Sequence, residues 1–276
     1  MSSTLEALVR EHPELATAAA TLRTLATALP EATLPTGVPS PLAAEARLAG
    51  GVPALEGEAL LNGTTLLANV RALAAALESE AGLDLRSVAD ILERSLSAED
   101  GDELAAAAQS GDWDTIGTLT QRIGLEQHAV ITLVDHAARP ALRAGAEAIH
   151  QLLKQSRWGR GTCAACGAPP LLGELRGGGA SGTAEHERLL RCGRCLTAWS
   201  FPRLRCVSCG ETNHRQLSYL HREGEGSFRR AEVCSSCNSY IKSLAVLSPL
   251  DAVELLNADL ATSALDIVAL EHGFHR

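Results

Sequence analysis

Leucine and alanine recur at helical spacing through most of the first 156 residues, with polar side chains between them. Leu5, Leu8 and Val9, then Leu15, Leu22, Leu25 and Leu29, keep one apolar face over residues 3–29, and His12-Pro13 is placed to divide it. Four prolines (Pro30, Pro35, Pro39, Pro41) make 30–41 an extended connector, and 42–50 reads as a short helix. Leu60, Leu61, Leu66, Leu67, Val70, Leu73 and Leu77 predict a long helix over 56–80, ended by Gly82. Further helices are expected over 85–95, 102–110 and 112–122. Residues 125–156 are strongly helical, with Pro140 marking a kink or a junction between two helices.

From Gly159 the pattern changes to short apolar runs and turns. Six of the eight aromatic residues (Trp158, Trp199, Phe201, Tyr219, Phe228, Tyr240) lie between 158 and 240, and aromatic residues favour strands. From Leu250 the helical spacing returns. Leu250, Val253 and Leu256 fit one short helix, and Asp259 is placed to cap a second that runs through Leu265 and Val268 to Gly273. The fold expected is a multidomain α plus small-β protein. It has a helical N-terminal domain over 1–157, two tandem four-cysteine ribbon modules over 158–203 and 204–248, and a C-terminal helical segment over 249–276.

All eight cysteines lie in four pairs of one spacing: Cys163/Cys166, Cys192/Cys195, Cys206/Cys209 and Cys234/Cys237. A two-residue gap lets both thiolates of a pair face one ion from a tight turn, and two such turns complete a tetrahedral four-sulfur site. Eight cysteines therefore predict two ions, and tetrahedral sulfur suits both zinc and iron. Gaps of 25, 10 and 24 residues separate successive pairs. The long gaps hold a hairpin each, and the short one, Leu196–Arg205, reads as a linker whose Trp199, Phe201 and Leu204 are placed to pack against both modules. Sequential pairing, first with second and third with fourth, closes the smallest loops; the other two pairings cost more loop entropy. Gly167, Gly210 and Asn238, each directly after a pair, suit the positive φ that such a turn asks for. Leu196 does not, so the second turn is expected to be less regular.

Charge changes the picture only slightly. The balance is −11 over 1–156, +6 over 157–247 and −4 over 248–276. Two four-thiolate sites with divalent ions would lower +6 to about +2, so the basic excess compensates sulfur charge and is weak support for a nucleic-acid partner. No Gly-rich loop follows a strand, and Gly177-Gly178-Gly179-Ala180-Ser181-Gly182 reads as a flexible loop. No Gly-x-Ser-x-Gly or His-Glu-x-x-His occurs, and His128, His136, His214 and His221 read as surface or packing residues rather than ligands. Four sulfurs around an ion leave no position for water or substrate, which argues against hydrolytic catalysis. With no basic segment leading into an apolar run and no stretch of ~18 apolar residues, a cytoplasmic protein without membrane insertion is expected, where paired cysteines bind metal rather than form disulfides.

The order of features resembles one family. Cys163-Ala-Ala-Cys166-Gly167-Ala-Pro169 is followed by Leu190-Arg191-Cys192-x-x-Cys195-x-x-x-Trp199 and Arg205-Cys206-x-x-Cys209. Then come Ala231-Glu232-x-Cys234-x-x-Cys237-x-x-Tyr240-Ile241-Lys242 and, in the tail, Asp259-Leu260-Ala261-Thr262-x-x-Leu265-Asp266. This is similar to FdhE, the formate dehydrogenase accessory proteins. The resemblance implies a non-enzymatic, cytoplasmic assembly factor that binds the catalytic subunit of formate dehydrogenase. It also implies that the eight cysteines hold iron in two rubredoxin-like sites. The alternatives are a mononuclear-iron electron carrier and a nucleic-acid-binding double zinc ribbon.

Overall fold

A computed structural model describes residues 9–10, 12–30, 35, 37–177, 187–221 and 228–276. Residues 3–8 of the helix expected over 3–29, and the glycine-rich loop beyond Gly177, lie outside the described residues. Among the described residues, after a 3-10 turn at Pro13–Leu15, eight helices follow: α1 (Ala16–Thr27), α2 (Pro41–Ala49), α3 (Gly63–Ala81), α4 (Arg86–Ser95), α5 (Ala98–Ser110), α6 (Trp113–Arg122), α7 (Gln127–Ala148) and α8 (His150–Gln155). Among the described residues, no helix is long and apolar enough to cross a membrane.

The apolar stripes form the core that the spacing predicts. Leu66, Val70, Leu73 and Leu77 of α3 pack with Leu104 and Ala108 of α5, Ile116 and Leu119 of α6, and Val130, Leu133 and Val134 of α7. Each buried leucine contributes roughly 1.5–3 kcal/mol. At the α3–α5 crossing a Cβ on Gly63 would lie 2.3 Å from the carbonyl carbon of Gly101, so only glycine lets the two backbones approach.

Helix ends differ from the periodic pattern where side chains take over the backbone. The third helix starts at Gly63, not at 56, because Asn62 caps it through the Thr65 N–H. Leu60 and Leu61 stay outside it. The Leu60 N–H donates to buried Gln109 Oε1 at 2.7 Å, and Gln109 donates back to the Leu61 carbonyl. The fifth helix starts at Ala98, four residues before the expected position, through a Ser97–Asp100 capping box. Pro140 does not end α7. Buried Leu133, Val134, Ala137, Ala138, Ala141 and Leu142 hold the helix on both sides of it, and the break falls at Ile149.

His136 is a packing residue of α7. Its Nδ1 lies 2.9 Å from the Thr132 carbonyl and 3.8 Å from Asp135. Burial, helped by Arg139 and Arg143, drives its pKa down to about 4 against the pull of Asp135 and Thr132. The folded protein therefore holds the imidazole neutral where the unfolded chain, with an ordinary pKa near ~6.5, takes up a proton. Its contribution is complete above that pH and is lost as pH falls towards 4, at up to about 1 kcal/mol per pH unit. Urea midpoints between pH 7 and 4.5 should fall more steeply for the native protein than for His136→Gln; parallel curves would refute this.

Among the described residues six strands follow: β1 (Pro170–Arg176), β2 (Glu187–Cys192), β3 (Ala198–Ser200), β4 (Leu217–Leu220), β5 (Arg229–Cys234) and β6 (Ser239–Ala245). They form one sheet in the order β3-β2-β1-β6-β5-β4. Each half is a three-stranded antiparallel meander. The halves join where β1 and β6 run parallel, Gly173–Leu175 against Ser243–Ala245. The expected linker is thus partly a strand: Trp199 faces Leu190 across the β2–β3 ladder, and Leu204 is 72% exposed rather than packed.

Two short helices close the chain, α9 (Ala252–Ala261) and α10 (Ser263–Glu271). The first is capped by Asp251 in a box with Glu254. Asp259 does not cap the second, as its position suggested. It lies inside α9 and binds Lys242 instead. Leu265 and Ala269 of α10 pack on Ala231, Val233 and Tyr240, and Leu250 and Leu255 pack on Leu172 and Leu244.

Candidate metal centres

Each half of the sheet carries two of the cysteine turns, one before its first strand and one at the end of its second. The sulfurs collect into two groups, Cys163/Cys166/Cys192/Cys195 and Cys206/Cys209/Cys234/Cys237, and within each group all lie inside 4.8 Å of one another. The sequential pairing expected from loop closure is the one observed. Across the first group Cys163–Cys195 and Cys166–Cys192 are 3.4 and 3.5 Å apart; across the second, Cys206–Cys237 and Cys209–Cys234 are 3.7 and 3.8 Å apart. A tetrahedral ion with sulfurs at ~2.3 Å has edges of about 3.8 Å, so the donor set fits a metal ion. The separations are far longer than the ~2.05 Å of a disulfide.

The four turns share one backbone geometry. The residues after them all have positive φ: Gly167 (77°), Leu196 (63°), Gly210 (77°) and Asn238 (53°). In the first three, the N–H of the leading cysteine donates to the carbonyl five residues on: Cys163 to Ala168, Cys192 to Thr197, Cys206 to Glu211. The second turn is therefore as regular as the others, against expectation. Left-handed φ costs a leucine roughly 1–2 kcal/mol. Leu196 offsets it by packing against the Leu172, Leu244 and Leu250 cluster.

Electrostatics separates the sulfurs within each group. Burial pushes the Cys163 and Cys195 thiols well up, whereas hydrogen bonds from Cys163, Cys166 and Cys195 pull Cys192 well down. In the second group, burial opposes ionisation of Cys206. The N–H groups of Cys209 and Ser208 and the Ser239 hydroxyl outweigh it and hold the thiol at about 7. Burial raises Cys234. The shifted thiols thus oppose one another within each group, and holding several of these sulfurs ionised together calls for a cation among them.

Buried charge clusters, missed in the sequence, brace the sheet that carries these groups. Arg194, between Cys192 and Cys195, reaches into the helical domain. Its Nε donates to Asp135 Oδ1 at 2.6 Å, and its other nitrogens donate to the carbonyls of Ala108 and Gln109 at the end of α5. Arg188 links the two halves, bonding the Glu232 carboxylate and the carbonyls of Pro202 and Arg205. Lys242, fully buried, lies 2.8 Å from Asp259 and 2.7 Å from Asp266, and the Tyr240 hydroxyl donates to Asp266 at 2.8 Å. The Tyr-Ile-Lys and Asp-Leu-Ala-Thr-x-x-Leu-Asp motifs are therefore two sides of one lock. A faint signal existed: Lys242 is one of two lysines in an arginine-rich chain.

A cleft of about 1470 Å³ borders both groups, running from Trp113 and Arg194 past Arg203 and Arg205 to Tyr219 and Arg230.

A helical domain docked on paired four-cysteine ribbon modules, which share one sheet and are closed by a C-terminal helix pair, is the class of protein defined here. The family described as "FdhE, C-terminal domain" matches residues 204–276. The FdhE homolog of Stutzerimonas stutzeri is 40% identical over 114 residues, 41% of this chain and 35% of that protein. The FdhE homolog of Edwardsiella ictaluri is 31% identical over 205 residues, 74% of this chain and 61% of that protein. The sequence matches thus cover less than two thirds of these relatives' own lengths. The crystal structure of the FdhE protein from Pseudomonas aeruginosa superposes with a TM-score of 0.63 and 26% identity, over 99% of this chain and 91% of that one. Residues 204–276 match the FdhE C-terminal domain family, and the chain as a whole has the fold of that FdhE crystal structure.

Proposed function

We propose that this chain is a non-enzymatic accessory factor for formate dehydrogenase, acting in the cytoplasm on the catalytic subunit before that subunit is active. Cys163, Cys166, Cys192 and Cys195 bind one ion, and Cys206, Cys209, Cys234 and Cys237 bind a second. Iron in rubredoxin-type sites is the favoured metal, with zinc as the other that tetrahedral sulfur accepts. The observation that carries this reading is the likeness to the FdhE crystal structure over 99% of the chain. Two features support it. Closed four-sulfur shells offer no position for a substrate, so the ions brace or signal rather than catalyse. The cleft beside them is large enough for a segment of another protein.

Deletion of the gene in its own host should abolish formate oxidation, and tagged protein should capture the dehydrogenase catalytic subunit. Elemental analysis of anaerobically purified protein should return two ions per chain. Unchanged formate oxidation together with no capture would overturn the reading. Tight, salt-dependent binding to DNA or RNA would favour a double zinc ribbon instead.

A further inference from the structure

The two cysteine groups are alike in geometry and unlike in surroundings. In the first, Cys163, Cys192 and Cys195 are buried and Cys166 is half-buried. The helical domain covers it from two sides. The Ala54 and Leu55 N–H groups donate to the carbonyls of Ala164 and Ala165, the two residues between Cys163 and Cys166, at 2.8 and 2.9 Å. From the other side Arg194 is clamped by Asp135 and by the end of α5. The buried rings of Trp158 and Trp199 complete the cover, their indole N–H groups spent on the carbonyls of Thr162 and Arg160.

Among the described residues, the second group has no such cover on its outer side. Cys209 is exposed and Cys237 half-buried. Their turn neighbours Ser208, Ser235, Ser236 and Asn238 are exposed as well. The bond that ties the two turns together at the rim, from the Ser236 hydroxyl to Glu211 at 2.8 Å, is local.

We infer that the helical domain seals the first ion, while the second is open at Cys209 and Cys237 to associative exchange with an external thiolate. This rests on the metal reading above. In the exchange an incoming thiolate sulfur forms a bond to the ion as the Cys209 Sγ–metal bond breaks. The freed Cys209 thiolate takes its proton from solvent, and no electrons change hands. The first ion cannot react in this way until the contacts of Arg194 and of residues 54–55 open. The thiolate can come from a small dithiol or from a cysteine of a partner protein, since both present the same donor.

The test uses the full chain loaded with zinc. Elemental analysis first establishes two equivalents. Release to a chromogenic pyridylazo chelator is then followed with increasing dithiothreitol. One equivalent should leave at least ~10-fold faster than the other, because exchange depends on access to the sulfur, and only the fast rate should rise with dithiothreitol. Iodoacetamide added after the fast phase should alkylate Cys209 and Cys237 and spare Cys163 and Cys192. Arg194→Ala should speed the slow phase alone. A small thiol-carrying protein in place of dithiothreitol separates the two sources: acceleration of the fast phase by both shows a rim open to proteins, and by dithiothreitol alone a rim open only to small thiols. Release of both equivalents at one rate, or first alkylation at Cys163, overturns the inference while leaving the metal reading intact. Fewer than two equivalents at loading overturns both.

Discussion

Cys163→Ser, or removal of both ions by a chelator, is expected to unfold the sheet while the N-terminal helical core survives. A larger cluster joins Leu190, Trp199, Phe201 and Ile241 to the helical domain, but it is built around Cys163, Cys192 and Cys195 and loses its centre with the ion. The two clusters beneath the rest of the sheet and its closing helices are small. One rests on five buried residues around Tyr240 and the other on four around Leu172. Cores of that size do not hold a six-stranded sheet against its conformational entropy. Structural zinc in zinc-finger peptides contributes ~10–16 kcal/mol near neutral pH, so ion binding would be most of the folding energy of these modules. The helical core, built on Leu66, Leu73, Leu104, Ile116 and Leu133, contains no cysteine. The measurement is circular dichroism of native and metal-free protein. The near-ultraviolet signal of Trp158 and Trp199 should collapse while most of the helical far-ultraviolet signal remains. An unchanged near-ultraviolet spectrum in metal-free protein would show that the sheet stands without ions.

Lys242→Ala should destabilise the C-terminal helix pair by about 3 kcal/mol, the lower end of the range for breaking a buried ion pair, because Asp259 and Asp266 are themselves a quarter exposed. The ammonium holds two carboxylates, and its removal leaves them with Arg276, 2.7 Å from Asp259, and with the Tyr240 hydroxyl. Amide exchange over 252–271 should accelerate before exchange in β5 and β6. Removing the excess charge should recover part of the loss, so Lys242→Ala with Asp266→Asn should cost less than the two single changes added together. Strict additivity, or uniform loss of protection across the chain, would refute the local lock.

How much was legible depended on the range of the interaction. The four cysteine turns are local devices of six residues or fewer, and their spacing, their sequential pairing and three of their four positive-φ residues could be read directly. The fourth, Leu196, could not, because what makes a left-handed leucine tolerable is contact with Leu172, Leu244 and Leu250 on distant strands and the C-terminal segment. Helices α4 and α6 were placed to within a residue or so by periodicity. The starts of α3 and α5 were not. Periodicity counts apolar positions, whereas Asn62 and the Ser97–Asp100 box decide where backbone N–H groups find partners.

Composition and spacing by themselves determined that this chain is helical at both ends, with two four-sulfur groups between. Period-3.6 stripes and Cys-x-x-Cys turns need only neighbours along the chain. Tertiary structure alone decided that both groups share one sheet through β1 and β6, and that the first lies under the helical domain while the second faces outward. The contacts responsible join residues far apart: Arg194 with Asp135 and with the end of α5, Arg188 with Glu232, Lys242 with Asp266. A buried charge finds its partner wherever folding delivers one, and no local pattern records which of the available carboxylates that will be.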